Sequence, residues 1–501
     1  MSYLLRITSK DNVGVALKEL HRGSRVTTEG QAAILIRDEI PLGHKVALSD
    51  IKSGEKVIKY GFPIGSAIKN IQGGEHVHTH NLSTNLGDVE EYSYEPKNYL
   101  SCSDSFTIPS FKGFKRTNGS IGIRNEIWIV PTVGCINEIG KLILEKAKRL
   151  LEGSRLVDLL EEGNVMAHPF GCSQLGGDLE RTQKILAGIV KHPNAAGVLV
   201  LGLGCENNTL ESFVKHLGDV DRERVRFLVA QEVDDEVEVG AKMICELVEN
   251  ASTDKREDAP LSSLVVGLKC GGSDAFSGIT ANPLLGAFSD FLVCAGGSSV
   301  LTEVPEMFGA ERLLMERAEN EEIFQKIVNL INDFKEYFLS HEQPVYENPS
   351  PGNKAGGITT LEEKSLGCVQ KGGRAPVVDV LLYGDRVKKK GLSLLEGPGN
   401  DLVSSTALGA AGCHMVLFST GRGTPYGTFV PTVKVSTNSD LYHKKERWID
   451  FNAGALLEGV TIKDLLDEFF QKIISIANGE KTKSEENDFK QIAIWKGGVT
   501  L

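Results

Sequence analysis

Residues 195–208 restrict the possible folds of this chain more than any other stretch. Eight residues without charge or polar alternation are followed at once by Leu-Gly-Cys-Glu-Asn-Asn. A strand of this kind is typical of a parallel sheet that helices cover on both faces. Ligands bind such sheets at the carboxyl edge, where this loop opens. We therefore expect chemistry at Cys205 and Glu206.

The same pattern recurs along the chain. Apolar runs also end at Cys135, Cys172 and Cys270, and residues 137–151 carry apolar side chains at helical spacing. Alternation of strand, loop and helix is typical of a doubly wound α/β fold with a mostly parallel sheet. The sequence thus predicts that four cysteine-bearing loops meet at one edge of the sheet.

The length of 501 residues exceeds what one core usually holds, so several domains are expected. Residues 1–85 contain short alternating runs between glycine turns, which predicts a small β-rich domain. Residues 86–113 are polar, proline-bearing and aperiodic, as is typical of a linker. Residues 114–255 and 256–501 each show the α/β pattern, and the second of these domains carries glycine-rich loops.

Composition argues against two classes of partner. A formal net charge of -12 disfavours binding to nucleic acid or to an anionic membrane surface. No apolar run approaches the ~20 residues of a membrane helix, and the first residues lack the features of a signal peptide. We expect a cytoplasmic protein with no nucleic-acid and no membrane partner.

The cysteine count of nine is odd and shows no close pairing, unlike a disulfide framework. We therefore expect reduced thiols throughout. Free cysteine is among the most buried residue types, so Cys102, Cys245 and Cys294 are interpreted as buried packing residues.

Histidines in the first domain suit proton transfer or metal binding. His44 follows Gly43 in a predicted turn, where glycine lets the backbone approach a ligand. His76, His78 and His80 alternate on one face of an extended segment. Such a trio could share a metal, although histidines on a solvated strand face are common.

Three other residues are candidates for catalysis. His168 precedes Cys172 in a loop, where a neutral imidazole can act as general base, metal ligand or capping donor. Lys354 lies in residues 347–357, which proline and glycine punctuate so often that an ordered loop is predicted rather than a helix. Lys354 could contact a substrate carboxylate or support an enolate, and a solvated lysine is the alternative. Glu303 ends the glycine-rich segment that follows Cys294.

Arginines at two turns could bind a substrate carboxylate, which a guanidinium grips with two hydrogen bonds. Arg124 and Asn125 follow a hairpin-like turn at Asn118-Gly119, and a surface ion pair is the alternative for Arg124. Arg422 lies between two glycines after a buried strand. Glycine-rich loops with hydroxyl and amide groups suit a polyhydroxylated or anionic ligand. The other candidates for substrate binding are Ser273, Asp274, Asn353 and Lys434.

Four motifs in order resemble one family. They are Gly-Leu-Gly-Cys-Glu, Cys-Gly-Gly-Ser-Asp-Ala-Phe-Ser-Gly-Ile-Thr-Ala-Asn-Pro, Asn-Pro-Ser-Pro-Gly-Asn-Lys-Ala-Gly-Gly and Thr-Gly-Arg-Gly-Thr-Pro-Tyr-Gly. Together they are similar to the altronate and galactarate dehydratase family, over essentially the whole chain. The first domain similarly resembles the small β-rich domain called SAF, with His44 in its Gly-His-Lys-Val-Ala-Leu motif.

The resemblance implies a hydro-lyase of hexuronate breakdown that converts D-altronate into 2-dehydro-3-deoxy-D-gluconate and water. It also implies dependence on iron(II), with manganese(II) as a substitute. Galactarate or another aldarate or aldonate is the alternative substrate. The sequence leaves open whether the protein is a homo-oligomer.

Dehydration of an aldonate requires loss of a weakly acidic C2 proton, and a divalent metal can stabilise the enediolate that forms. We expect His168 as base or ligand and His44 as a second proton-transfer or ligand group. Soft thiolates suit iron, so Cys135, Cys172 and Cys205 are the predicted metal ligands. They could instead hold an iron-sulfur cluster, or be packing thiols beside an ion bound by carboxylates and histidine.

Two further classes of function stay open on the sequence alone. A nicotinamide-dependent enzyme would need a complete glycine-rich fingerprint, and Gly202-Leu-Gly204 lacks the third glycine, so no NAD is expected. A non-catalytic sugar-acid binding protein would keep the carboxylate clamps but would need neither histidines nor thiols, and it would leave its ligand unchanged.

Overall fold

The computed structural model describes residues 3–27, 33–87, 89–98, 100, 102 and 109–501. Parts of the predicted linker, at 88, 99, 101 and 103–108, therefore lie outside the described residues. The chain forms a β-rich region followed by two α/β regions.

The first region consists of short antiparallel strands. Its strands are β1 (Leu4–Leu5), β2 (Val13–Ala16), β3 (Arg25–Val26), β4 (Ile34–Leu35), β5 (Lys45–Ala47), β6 (Lys56–Lys59), β7 (Phe62–Ala67), β8 (His76–Val77) and β9 (Leu82–Ser83). They form sheets in the orders β1-β2-β5-β8, β3-β4 and β6-β7-β9. Gly23, Gly43 and Gly54 turn the chain between strands with φ of 80 to 90°, which favours glycine.

The second region contains a four-stranded parallel sheet with the order β13-β12-β14-β15. Its strands are β10 (Ser110–Lys115), β11 (Ile121–Gly122), β12 (Glu126–Pro131), β13 (Asn164–Val165), β14 (Ala195–Gly202), β15 (Val225–Val229) and β16 (Arg256–Pro260). Its helices are α1 (Asn137–Leu150), α2 (Asp158–Glu161), α3 (Gly176–Val190), α4 (Leu210–Leu217) and α5 (Glu236–Ala251). A small antiparallel sheet, β11-β10-β16, packs beside it.

The third region contains a seven-stranded parallel sheet with the order β19-β20-β18-β17-β21-β22-β23. Its strands are β17 (Val265–Cys270), β18 (Ser298–Leu301), β19 (Val377–Leu381), β20 (Gly391–Leu395), β21 (Met415–Thr420), β22 (Thr432–Ser436) and β23 (Phe451–Asn452). Its helices are α6 (Ala281–Cys294), α7 (Glu311–Met315), α8 (Glu321–Ser340), α9 (Pro351–Ala355), α10 (Leu361–Cys368), α11 (Asp401–Ala410), α12 (Ser439–Lys444), α13 (Ile462–Ala477) and α14 (Lys483–Glu486).

The predicted fold class is confirmed. Every residue of β14 is buried, because α3 packs on one face of its sheet and α5 on the other. In the larger sheet, β18 lies on one side of β17 and β21 on the other. Connections that leave a strand in opposite directions open a crevice at its carboxyl end. This crevice determines where the site is built.

Two predictions about the cysteines are wrong. Cys102 and Cys294 form a disulfide, and Cys102 is exposed rather than buried. The two residues are 192 positions apart, and their Cα atoms come within 5.3 Å at the end of α6. Spacing along the chain cannot reveal a pairing that depends on how distant segments dock.

Helices that could cross a membrane are absent from the described residues, since none combines sufficient length with an apolar sequence.

Candidate active-site cleft

A cleft of about 730 Å³ opens at the carboxyl end of the seven-stranded sheet. The end of β17, the start of α11, the segment around α9 and the loop after β21 line it. This is the crevice between β17 and β21 that the strand order creates. The chemically relevant lining residues are Cys270, Glu306, Glu347, Asn353, Lys354, Lys364, Asp401 and Arg422.

The segment at one wall of the cleft differs from the prediction, because Pro351–Ala355 forms a short helix, α9. Ser350 Oγ accepts from Asn353 N and caps the helix, and Asn353 Oδ1 accepts in return from Ser350 N. Proline at the first helical position loses no hydrogen bond, since that N–H has no partner inside a helix. The expectation of a loop without helix over 347–357 is therefore wrong.

A buried ion pair forms the floor of the cleft. Lys364 Nζ lies 2.8 Å from Glu306 Oε1 and donates to Asn353 Oδ1 at 3.1 Å. Burial alone would raise the pKa of Glu306, but Lys364, Lys269 and Lys371 outweigh it and hold that pKa well below its usual value. The floor therefore presents both a carboxylate and an ammonium to the cleft.

Behind this pair lies a second layer of charge. Lys269 Nζ contacts both Glu303 and Asp401, the latter at 2.9 Å, and Lys371 Nζ lies 3.2 Å from Glu303. Glu303 has φ 71° and ψ 57°, a left-handed conformation that is uncommon outside glycine. The predicted catalytic residue Glu303 is thus placed behind the cleft, where it holds two lysines.

Two thiols adjoin the floor. Cys270 Sγ lies 3.4 Å from Cys368 Sγ, and both sulfurs lie within 3.3 Å of Glu306 Oε2. Lys371 Nζ donates to Cys270 Sγ at 2.9 Å. Cys270 stands out in the sequence at the end of its strand, whereas Cys368 does not, because a cysteine inside a helix gives no local signal.

The predicted substrate-binding residues of this region have different surroundings. Lys354 is half-buried and Arg422 is exposed, and both line the cleft. Asn353 Nδ2 donates to the Ser273 carbonyl at 2.8 Å, so these two residues build the wall. Asp274 is buried and accepts from Thr437 Oγ1 at 3.0 Å, which joins the loop after β17 to the end of β22.

Lys434 is completely buried outside the cleft lining, and no described residue accepts a hydrogen bond from its Nζ. The ammonium lies 3.7 Å from the centroid of the Phe418 ring. Burial lowers the pKa of Lys434 to about 7. We therefore expect this poorly solvated lysine to lower the free energy of unfolding.

Replacing Lys434 with methionine should raise the free energy of unfolding at pH 7 by roughly 2–4 kcal/mol. The unfolded chain binds more protons at this lysine between pH about 7 and 10.5, so the wild type gains stability as pH rises through that window. The difference between the two proteins should shrink towards pH 10. Urea unfolding at several pH values measures it, and a gap independent of pH would contradict the assignment.

The cysteines predicted as metal ligands lie at the carboxyl edge of the smaller sheet. Cys135, Cys172 and Cys205 are all exposed. Their loops touch, since Asn208 N donates to the Gly171 carbonyl at 2.9 Å. Among the described residues, however, their sulfurs are not a group within 4.8 Å of one another.

His168 and Glu206 stabilise these same loops. His168 Nε2 donates to the Pro131 carbonyl at 2.8 Å, and its Nδ1 accepts from Phe170 N at 3.1 Å. Both ring nitrogens are therefore occupied, which suits a structural imidazole better than a base. Glu206 is buried and accepts from Thr132 Oγ1 at 2.6 Å, which joins two loops.

Arg124 does not reach the cleft. Its guanidinium forms a buried two-pronged pair with Glu485, at 2.7 and 3.0 Å, and donates to backbone carbonyls. Asn125 accepts from Arg116 at 2.8 Å. The structure thus gives Arg124 an architectural role. A second cavity, of about 580 Å³, borders Arg116, but Asp254 already pairs with that arginine.

His44 lies where the β-rich region meets the third region. Antiparallel pairing of β5 and β8 brings His76 beside it, and His44 Nδ1 lies 3.0 Å from His76 Nε2. His44 Nε2 lies 3.3 Å from the carbonyl of Ala355, the residue after Lys354. Burial lowers the pKa of His44, so its imidazole is neutral near pH 7. His44 therefore supports the α9 wall from behind.

Models of one family match three consecutive parts of the chain. They are the altronate/galactarate dehydratase SAF domain at residues 2–85, the second domain of D-galactarate dehydratase/altronate hydrolase at 113–252, and the C-terminal domain of D-galactarate/altronate dehydratase at 261–500. The chain is also 56% identical to altronate dehydratase of Bacillus subtilis (strain 168) over 504 residues, with both chains fully covered.

The chain belongs to the altronate/galactarate dehydratase family.

Two other relatives represent the altronate and galactarate dehydratases of this family. The chain is 52% identical to altronate dehydratase of Escherichia coli (strain K12) over 501 residues, with both chains fully covered. It is 32% identical to galactarate dehydratase (L-threo-forming) of the same strain over 504 residues, which cover 96% of this chain and 94% of the relative. Family membership establishes that the protein is an enzyme, a sugar-acid dehydratase, and confirms the SAF domain.

Proposed function

We propose that this enzyme dehydrates D-altronate to 2-dehydro-3-deoxy-D-gluconate and water, a step of hexuronate breakdown. The observation that carries the proposal is full-length identity of 56% and 52% to two altronate dehydratases, against 32% to a galactarate dehydratase. The cleft supports it, because cations and carboxylates line it together. An aldonate needs both, since it carries one carboxylate and must exchange protons.

Two cations at the mouth of the cleft, Lys354 and Arg422, bind the substrate carboxylate. Lys354 has no side-chain partner among the described residues, and Arg422 donates to the Gly352 carbonyl at 3.3 Å with most of its guanidinium free. Charge-assisted hydrogen bonds from these groups fix the carboxylate and therefore C2 beside it. The hydroxyl groups face the polar wall built on Asn353.

Asp401 is the general base that removes the C2 proton. Its carboxylate lines the cleft at the first position of α11, and the Lys269 ammonium holds it from behind at 2.9 Å. Asp401 takes the C2 proton, the electrons move towards the carboxylate, and the Lys354 and Arg422 cations that bind this carboxylate stabilise the added negative charge. The protonated Asp401 then returns that proton to the departing 3-hydroxyl, and the enol tautomerises to the 2-keto acid.

Iron(II), with manganese(II) as a substitute, is part of the proposal and would stabilise the enediolate when bound. The donor set predicted from the sequence does not fit a single ion as it stands. Cys135, Cys172 and Cys205 are exposed, and their sulfurs are not within 4.8 Å of one another among the described residues. No step is therefore assigned through them.

A keto-acid assay on D-altronate and galactarate, with anaerobically purified protein and added iron(II), tests the proposal. We expect altronate to be the better substrate by kcat/KM, with formation of the 3-deoxy-2-keto acid. A higher kcat/KM for galactarate would instead identify the protein as a galactarate dehydratase. Binding of altronate without any product would support a sugar-acid binding protein instead.

Substitution of Arg422 by methionine should raise KM for D-altronate about 10-fold to 100-fold, with a smaller change in kcat. Loss of one charge-assisted hydrogen bond to the carboxylate weakens the substrate and transition-state complexes alike. Steady-state kinetics measure the effect, and Arg447→Met, an exposed arginine beyond the cleft lining, serves as the matched control. An unchanged KM would show that Arg422 does not bind the substrate carboxylate.

A further inference from the structure

We propose that Cys270, Glu306 and Cys368 bind one soft divalent transition metal at the floor of the cleft. All three side chains are buried, with 1%, 4% and 4% of their surface exposed. The inference deepens the proposed function, because it places a metal where the substrate would bind. It also replaces the ligand set that the sequence predicts.

Geometry is the first support. The two sulfurs lie 3.4 Å apart, and Glu306 Oε2 lies 3.3 Å from Cys270 Sγ and 3.0 Å from Cys368 Sγ. Ligands that lie about 2.0–2.3 Å from one ion are themselves about 3–4 Å apart. Within the described part of the chain, two groups of this kind have all ligand atoms within 4.8 Å, and the other, at Glu19, is exposed.

An open coordination position is the second support. Cys270 and Glu306 also line the cleft, so one side of the group faces the space where substrate would lie. Catalytic metal centres commonly have three protein ligands and leave one position for water or substrate. Two thiols with one carboxylate favour iron(II), cobalt(II) or zinc(II) over magnesium, which prefers oxygen ligands.

Charge balance is the third support. Three buried lysines face three carboxylates around the group. They are Lys269, Lys364 and Lys371 facing Glu303, Glu306 and Asp401. The formal charges of these six side chains cancel, so two thiolate ligands would balance the charge of one divalent ion. Lys371 Nζ already donates to Cys270 Sγ at 2.9 Å, a contact that also suits a metal-bound thiolate.

Cobalt(II) titration of the full-length protein tests the site without any sugar acid. The test uses a variant in which the exposed Cys135, Cys172 and Cys205 are serines, so that these thiols cannot contribute. We expect about one ion per chain and a thiolate-to-cobalt charge-transfer band in the near ultraviolet. Addition of Cys368→Ser should abolish the band.

Cys413→Ser is the matched control, because Cys413 is a buried free thiol outside the group, and its substitution should leave the band intact. Glu306→Gln keeps both sulfurs and should weaken binding at least tenfold while the band persists at saturation. Circular dichroism establishes that each variant is folded.

Three outcomes would overturn the assignment. They are the absence of a charge-transfer band in the starting variant, its survival after Cys368→Ser, and its loss after Cys413→Ser. Turnover of D-altronate at an unchanged rate by protein that shows no band would reject the metal site and leave the proposed function standing. Because the titration contains no substrate, failure of the proposed function would leave its result unaffected.

Discussion

Substitution of Glu363 by glutamine should lower the free energy of unfolding by about 3–5 kcal/mol, because it leaves two buried ammonium groups without a counter-charge. Glu363 Oε2 lies 2.8 Å from Lys45 Nζ, and Oε1 lies 2.8 Å from Lys59 Nζ. Both lysines belong to the SAF domain, whereas Glu363 is in α10. The triad therefore fastens the SAF domain to the element that carries Lys364.

Urea unfolding combined with hydrogen exchange of residues 45–47 and 359–363 measures this effect. Glu211→Gln, which breaks an exposed pair with Lys215, is the control and should change stability by less than about 0.5 kcal/mol. Joint replacement of Lys45 and Lys59 by methionine and of Glu363 by leucine should recover most of the loss, since no charge then remains buried. A loss below about 1 kcal/mol in Glu363→Gln would contradict the account.

The same triad predicts sensitivity to acid. Burial alone would raise the pKa of Glu363, but the two lysines outweigh it and lower that pKa to about 2, below the ordinary 4.5. The stabilisation is therefore complete above pH about 4.5 and is lost as pH falls towards about 2. The Glu363→Gln protein should lack this part of the pH dependence.

Replacement of Asp401 by asparagine should lower kcat for D-altronate by about 10²-fold to 10⁴-fold, which is the usual effect of losing a general base. The helix should persist, because Asn400 caps α11 by accepting from Leu402 and Val403. Lys269 keeps Glu303 as a partner. The proposed mechanism therefore predicts a loss in proton transfer with little change in folding.

Kinetics with substrate deuterated at C2 give the sharpest readout. Asp440, an exposed aspartate in the first turn of α12, provides the control variant Asp440→Asn, for which wild-type rates are expected. An isotope effect in the wild type that grows in Asp401→Asn would support the role, since proton removal then limits the rate. A loss of less than tenfold, or a change confined to KM, would assign the C2 proton to another group.

Local sequence pattern determined the fold class. Uninterrupted apolar runs such as residues 195–202 can be satisfied only where both faces of a strand are covered, and the structure places this run as the fully buried β14. Glycine turns likewise predicted the β-rich domain. Arg422, at a loop position after β21, was found at the cleft because parallel strands bring such loops together.

Only the tertiary structure decided which side chains pair with one another. A sequence cannot distinguish an arginine that grips substrate from one in a buried ion pair, and Arg124 pairs with Glu485, 361 positions away. Glu306, Lys364 and Cys368 gave no local signal, because nothing within one turn of chain marks a helical side chain as facing a cleft. Periodicity records which face of a segment is buried, whereas the energy of a charge or thiol depends on the neighbours that folding supplies.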